Sequence, residues 1–69
     1  MMHTCSMACH VTQIHDGPAR TLYQASMEGR GKNCIAACEA ACKAINNAVP
    51  PGHQKRHCWG ICRGKRKSC

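Results

Sequence analysis

The spacing of eight cysteines constrains this 69-residue chain more than any other feature. They are Cys5, Cys9, Cys34, Cys38, Cys42, Cys58, Cys62 and Cys69. Seven of them fall in steps of four residues, and that step puts side chains on one face of an α-helix. The same residues would also share a face of a strand, but the alanines around them favour helix. We therefore expect helices that each carry cysteines along one face.

The composition makes disulfides the expected main source of stability. The hydrophobic residues make up 43% of the chain, yet many are alanine or cysteine, and there is no phenylalanine. Ordering a chain costs roughly 1.5 kcal/mol per residue, and a core of so few large side chains does not offset that cost alone. A disulfide contributes roughly 2–4 kcal/mol. An even number of cysteines in a short chain indicates an oxidising compartment, so we expect a secreted or extracellular protein.

The expected fold is a small all-α, disulfide-rich domain spanning residues 1–69, with three to four short helices and about four disulfides. Helices are predicted at about 4–15, 21–28 and 53–63, and a fourth, the strongest, begins after Asn33 and ends before Pro50. Its cysteines share an inward arc with Ile35, Ala41 and Ile45.

The segments between and after these helices are predicted to be turns and loops. Gly29 has the position of a helix C′ residue, and Gly29 to Gly31 is predicted to break the chain between helices. Residues 64–69 form a basic C-terminal tail, whose part from Gly64 to Lys67 is predicted to be a loop. The first residues, Met1 to His3, lack the features of a signal peptide, and we expect a mature domain without its leader.

Two cysteines four residues apart on one helix point the same way and do not readily bond each other. An antiparallel third and fourth helix would instead give two disulfides, Cys42–Cys58 and Cys38–Cys62. The two cysteines of the first helix would then bond the two that are left, Cys34 and Cys69. Eight cysteines allow 105 connectivities, so other pairings stay open.

The charge is strongly and unevenly positive. Ten Lys and Arg oppose three Asp and Glu, for a net charge of +7, and the segment from Gly52 to Cys69 contains six cations and no acid. Such a bias favours binding to anionic surfaces. Trp59 suits a lipid interface, although it could equally pack on a disulfide. The residues expected to contact an anionic surface are Lys55, Arg56, Trp59, Arg63, Lys65, Arg66 and Lys67.

Catalytic and nucleic-acid functions find little support in the sequence. The acids Asp16, Glu28 and Glu39 lie in separate segments, and disulfide-bonded cysteines are not nucleophiles, so we expect no enzyme, no catalytic residue and no cofactor. The basic run 63–67 could contact phosphates, but few aromatic residues are available to stack on bases. No specific nucleic-acid partner is expected.

Zinc binding is the chemical alternative to disulfides. Eight cysteines could form two four-thiolate sites, and histidines lie near the cysteine motifs. They are His3, His10, His15, His53 and His57. The tight CxxC pairs that are usual in such sites are missing, so no metal ligand is expected. As surface residues, the histidines would add positive charge at mildly acid pH.

Two segments, Gly31-Lys-Asn-Cys-Ile-Ala-Ala-Cys38 and Cys58-Trp-Gly-Ile-Cys-Arg-Gly-Lys-Arg-Lys67, resemble basic cystine-stapled helical peptides. These include the helical-hairpin toxins of marine ribbon worms and scorpions, and the hairpin-type and snakin-type antimicrobial peptides of plants. The chain departs from each of them, with three cysteines on one helix and a long gap after Cys9. The resemblance implies a role in defence or venom.

The predicted function is that of a secreted, cationic host-defence (antimicrobial) peptide that binds and perturbs anionic microbial membranes. The first alternative is a toxin or secreted signalling peptide that binds an ion channel or a receptor. The second is an intracellular zinc-binding module.

Overall fold

The computed structural model describes residues 2–14 and 21–69 as one antiparallel sheet with a helix packed on one of its faces. The four strands have the spatial order β2-β1-β3-β4, so β1 is central and contacts both β2 and β3. In chain order the elements are β1 (His3–Gln13), β2 (Thr21–Gly31), α1 (Cys34–Ala48), β3 (His53–Cys62) and β4 (Lys65–Lys67).

The all-α prediction is wrong, because three of the four expected helices are strands. The segments 4–15, 21–28 and 53–63 correspond to β1, β2 and β3, and the expected loop at 64–67 contributes β4. A step of four residues is close to one helical turn but is also two full periods of a strand. The burial of the residue midway between two such cysteines distinguishes a helix from a strand. Met7, midway between Cys5 and Cys9, is buried on the same face as both. That alternation, which continues to Val11, is the pattern of a strand.

The prediction of a helix after Asn33 is confirmed. The side-chain Oδ1 of Asn33 accepts a hydrogen bond of 2.8 Å from the backbone N–H of Ala36, which caps α1 at its first turn. The face of α1 that packs on the sheet consists of Ala37, Cys38, Ala41 and Ile45. Ile35, expected on this face, is instead 65% exposed, because it lies at the outer margin of the cysteine arc. Among residues 2–14 and 21–69, the structure contains no helix that could span a bilayer.

Replacing Asn33 with alanine is expected to lower the free energy of unfolding by about 1 kcal/mol, because the N–H of Ala36 then loses its side-chain acceptor. Asn33→Ser is the matched control, since a serine oxygen can accept the same bond. We expect it to lose only a few tenths of a kcal/mol. Urea unfolding monitored by circular dichroism measures both variants. An equal loss of unfolding free energy in the two variants would show that the side-chain acceptor at position 33 contributes nothing to stability.

Four disulfides link the strands, the helix and the segment after β4, and none of the predicted pairings occurs. The bonds are Cys5–Cys38, Cys9–Cys58, Cys34–Cys62 and Cys42–Cys69. The predicted pairs Cys42–Cys58 and Cys38–Cys62, and the bonds from the first segment to Cys34 and Cys69, assumed a hairpin of two helices. Instead, α1 lies across a sheet, and its three cysteines reach β1, β3 and the segment after β4. The expectation that each bond joins different elements still holds.

The helix approaches β2 closely because small residues face each other there. Gly29 and Gly31 are buried in β2, and Ala37 and Ala41 lie opposite them on α1. A Cβ atom on Gly29 would overlap the backbone O of Ala37 and the backbone N of Ala41. Gly29 is therefore not the residue after a helix end, as the sequence suggested. It is the position in β2 where the absence of a side chain lets the backbone of α1 pack directly on the strand.

Candidate functional site

The side of the sheet opposite α1 is uncovered by any other described element, and it is called the open face here. Along β1, Cys5, Met7, Cys9 and Val11 are buried toward the helix, so the residues between them point the other way. The register then places neighbouring side chains on the open face from Arg30 of β2 to Arg66 of β4. Its members are Thr4, Ser6, Ala8, His10, Gln24, Ser26, Glu28, Arg30, Arg56, Trp59, Ile61 and Arg66.

A bulge in β3 brings Arg56 and Trp59 onto this same face. Trp59 pairs with Ala8 and Arg56 pairs with His10, so β3 has one more residue than β1 between these pairs. His57 absorbs the extra residue with a left-handed backbone, φ 50°. Without the bulge, strict alternation would turn Arg56 toward the helix, away from Trp59.

Three aromatic rings meet beside the bulge. The ring centroid of His10 lies 5.3 Å from that of Trp59, with the planes nearly perpendicular at 84°. The His57 ring lies 5.9 Å from His10, also edge to face. Such edge-to-face arrangements are favourable for aromatic pairs. The half-buried indole is thereby held in place on the open face rather than in the core.

A shallow depression of about 330 Å³ lies next to this aromatic group. Trp59 and Ile61 from β3 form its apolar side, and Ile61 is 49% exposed. Ser26 and Glu28 from β2 form its polar side. On the neighbouring strand β4, Arg66 is paired with Ile61. A guanidinium group therefore borders the apolar side formed by Trp59 and Ile61.

The structure separates the seven residues that the sequence grouped together. Arg56, Trp59 and Arg66 lie on the open face. Lys55 and Lys67 line a groove beside α1, on the other side of the sheet.

The last two of the seven lie around the β3–β4 turn. Arg63, in this turn, donates a 2.9 Å hydrogen bond from its guanidinium to Nε2 of His3, while Lys65 begins β4 opposite Cys62. The sequence therefore predicted a single basic surface, whereas the fold distributes its residues over the open face, the groove beside α1 and the β3–β4 turn.

Sequence reasoning missed the contributions of β1 and β2 to the open face. His10, Glu28 and Arg30 reach it from those strands, which were interpreted as helices. The alternation of polar residues with Cys5, Met7 and Cys9 is the signal that could have located them.

The acids stay apart in the structure as well. Glu28 lies on the open face and Glu39 is exposed on α1, whereas Asp16 lies outside the described residues. Comparison with known proteins gives no relative: no family model, no curated protein and no solved structure matches the chain.

Proposed function

We propose that this protein is a secreted, cationic host-defence peptide that binds anionic membrane surfaces through the open face of its sheet. The observation that carries the proposal is the placement of Trp59 and Ile61 beside Arg56 and Arg66 on one uncovered face. Four disulfides in a chain of this size are typical of extracellular proteins.

The physical basis is the match between this face and the membrane interface. Tryptophan partitions to the headgroup level of a membrane because its ring is amphipathic. There the apolar part of the ring contacts the lipid and the indole N–H finds a hydrogen-bond partner. Each Lys or Arg near an anionic bilayer contributes about 1 kcal/mol. Because the disulfides hold the strands, Trp59 and the two arginines need not be ordered at the moment of binding.

Removing the charges of Arg56 and Arg66 is expected to weaken binding to anionic vesicles by about 30-fold, since two cations near the surface account for about 2 kcal/mol. Arg56→Gln with Arg66→Gln is compared with Lys43→Gln with Lys55→Gln, which removes equal charge from the helix side. We expect the second pair to cost less than about 5-fold, because its charges lie farther from the bilayer and are screened over about 10 Å.

Trp59 reports the binding directly, because it is the sole tryptophan. Titration with phosphatidylglycerol-containing vesicles should shift its emission to shorter wavelength, and purely zwitterionic vesicles should leave it unchanged. Leakage of a trapped dye from the same vesicles tests whether binding perturbs the bilayer. Equal emission in both vesicle types, or equal losses in both variant pairs, would contradict the proposal.

The competing function is that of a channel or receptor ligand, and conservative substitutions distinguish it. Arg56→Lys with Arg66→Lys keeps the charge but removes the planar guanidinium groups. A membrane surface should bind this variant within about 2-fold of the natural protein. A loss above 10-fold in biological activity, with vesicle binding unchanged, would replace the membrane by a protein receptor.

A further inference from the structure

The two edges of the sheet differ in how they are protected from pairing with another chain. β4, at one edge, has only three residues, and all of them are cationic: Lys65, Arg66 and Lys67. Short length and charged side chains are the usual protection of an edge strand. β2, at the other edge, has eleven residues and contains neither lysine nor proline. Within the described part of the chain, no strand lies beside its outer edge, so its outward backbone groups are open to one.

Most of β2 is regular enough to serve as a template for a further strand. From Tyr23 to Gly31 it pairs with β1 residue by residue, without a bulge. Its open-face residues Ser26, Glu28 and Arg30 are all exposed. Main-chain hydrogen bonds to such an edge are a common source of affinity when an extended segment adds to a sheet.

On the helix side, small residues border the end of β2 that leads into α1. Gly29 and Gly31 have no side chains, and the part of α1 nearest to them carries Ala36 and Ala40, which are half-buried. Long side chains at these four positions would project toward a strand placed beside β2. The small residues leave room for it.

The charges on this edge are self-complementary. Glu28 and Arg30 are two residues apart, so both lie on the open face. In an antiparallel pair of two β2 strands with Gly29 at the twofold axis, Glu28 of each copy lies opposite Arg30 of the other. Opposite charges in directly facing positions stabilise an antiparallel pair. The edge therefore offers a second copy of the chain two ion pairs in addition to backbone hydrogen bonds.

The net charge of +7 does not prevent this approach, because most of it lies at the other edge. Six of the ten cations fall between Gly52 and Cys69, in or next to β3 and β4. With neighbouring strands about 4.8 Å apart, the two β3 strands of such a pair would be roughly 24 Å from each other, and the two β4 strands roughly 34 Å. The screening length at physiological salt is about 8 Å. Two copies therefore repel each other least when their β2 edges meet.

We propose that two copies of the chain associate through their β2 edges into one continuous antiparallel sheet, with Glu28 of each copy paired to Arg30 of the other. The twofold axis is perpendicular to the sheet, so both helices lie on one side and both open faces on the other. The association is distinct from the proposed membrane binding and needs no lipid.

Intermolecular charge exchange tests this pairing. In a dimer of the Glu28→Arg variant, both ion pairs become pairs of arginines, and in a dimer of Arg30→Glu they become pairs of glutamates. Each variant alone is expected to dissociate with a constant at least about 10-fold higher than that of the natural protein. An equimolar mixture of the two restores both ion pairs between unlike copies. We expect this mixture to form a heterodimer within about 3-fold of the natural affinity.

Sedimentation equilibrium at physiological salt measures the association, and native mass spectrometry identifies the heterodimer. The matched controls carry the same changes of net charge away from the β2 edge: Glu39→Arg on the exposed side of α1, and Lys65→Glu in β4. Both controls are expected to dimerise within about 3-fold of the natural protein, because their charges are screened from the partner. Equal weakening in the controls, or no heterodimer from the mixture, would overturn the assigned pairing.

Hydrogen exchange examines the natural sequence without any substitution. The amide protons of residues 27–31 should exchange more slowly as the protein concentration rises, because outward-pointing N–H groups gain acceptors from the partner. The amide protons of β4 should exchange at an unchanged rate. A protein that stays monomeric up to its solubility limit, or protection that rises at β4 instead, would overturn the proposal. Because these measurements omit lipid, their outcome does not depend on the proposed membrane binding.

Discussion

Replacing Cys5 and Cys38 together with alanine is expected to lower the free energy of unfolding by about 5 kcal/mol. The bond spans 33 residues, and closing such a loop in the unfolded chain accounts for about 3.8 kcal/mol. Both sulfurs are also packed in the core with Met7, Ala41 and Ile45, and their loss leaves a cavity that costs roughly another 1 kcal/mol. For a domain this small, a loss of that size removes most of the total stability.

Cys42→Ala with Cys69→Ala provides the comparison for this prediction. Its loop of 27 residues is of similar length, but Cys69 is exposed and Cys42 is only half-buried at the edge of the core, so little cavity is created there. We therefore expect a loss of about 3.5 kcal/mol from loop closure alone. Urea unfolding followed by Trp59 fluorescence measures both variants after mass spectrometry has verified the three remaining disulfides. A smaller loss for the Cys5 and Cys38 variant than for the Cys42 and Cys69 variant would contradict the assigned core.

Gly29→Ala is expected to destabilise the protein by about 3 kcal/mol, an unusually large effect for adding one methyl group. The new Cβ would meet the backbone of Ala37 and Ala41, and backbone atoms cannot rotate aside as a long side chain can. The helix must move away from β2, and overpacking of this kind costs 1–3 kcal/mol or more. The lower entropy of alanine in the unfolded chain offsets less than about 1 kcal/mol of this cost.

Gln24→Ala is the control for Gly29→Ala, because Gln24 belongs to the same strand and is exposed. We expect its effect to stay within about 0.5 kcal/mol. Thermal and urea unfolding by circular dichroism measure the two variants. Should Gly29→Ala be as stable as the natural protein, the close contact between α1 and β2 would be wrong.

The helix could be predicted because its signals are local. Asn33 offers an oxygen to the N–H of Ala36 three residues on, and Pro50 prevents continuation after the last turn. Both effects operate within a few residues, whatever the rest of the chain does. The strands have no comparable capping or terminating residues. Their cysteine spacing is compatible with both a helix and a strand, and the nearby alanine residues favoured the helix interpretation, which was wrong.

The candidate site was only partly predictable, because a bulge decides which side chains share a face. Arg56 and Trp59 were grouped because they are close in sequence, but His57 must adopt a positive φ for both to reach the open face. Lys55 and Lys67, grouped with them by charge, lie on the other side of the sheet. Charge can be counted from a sequence, whereas the face that carries it depends on register.

By itself, the sequence determined that this is a small, disulfide-rich, strongly basic protein with a helix that begins after Asn33. Those properties depend on composition and on contacts between near neighbours. Only the tertiary structure decided the pairing of the cysteines, since the partner of Cys38 depends on which strand runs beneath α1. The central position of β1 brings Cys5 there, across 33 residues of chain. Contacts at that separation follow from how strands and helix pack together, which no short stretch of residues specifies.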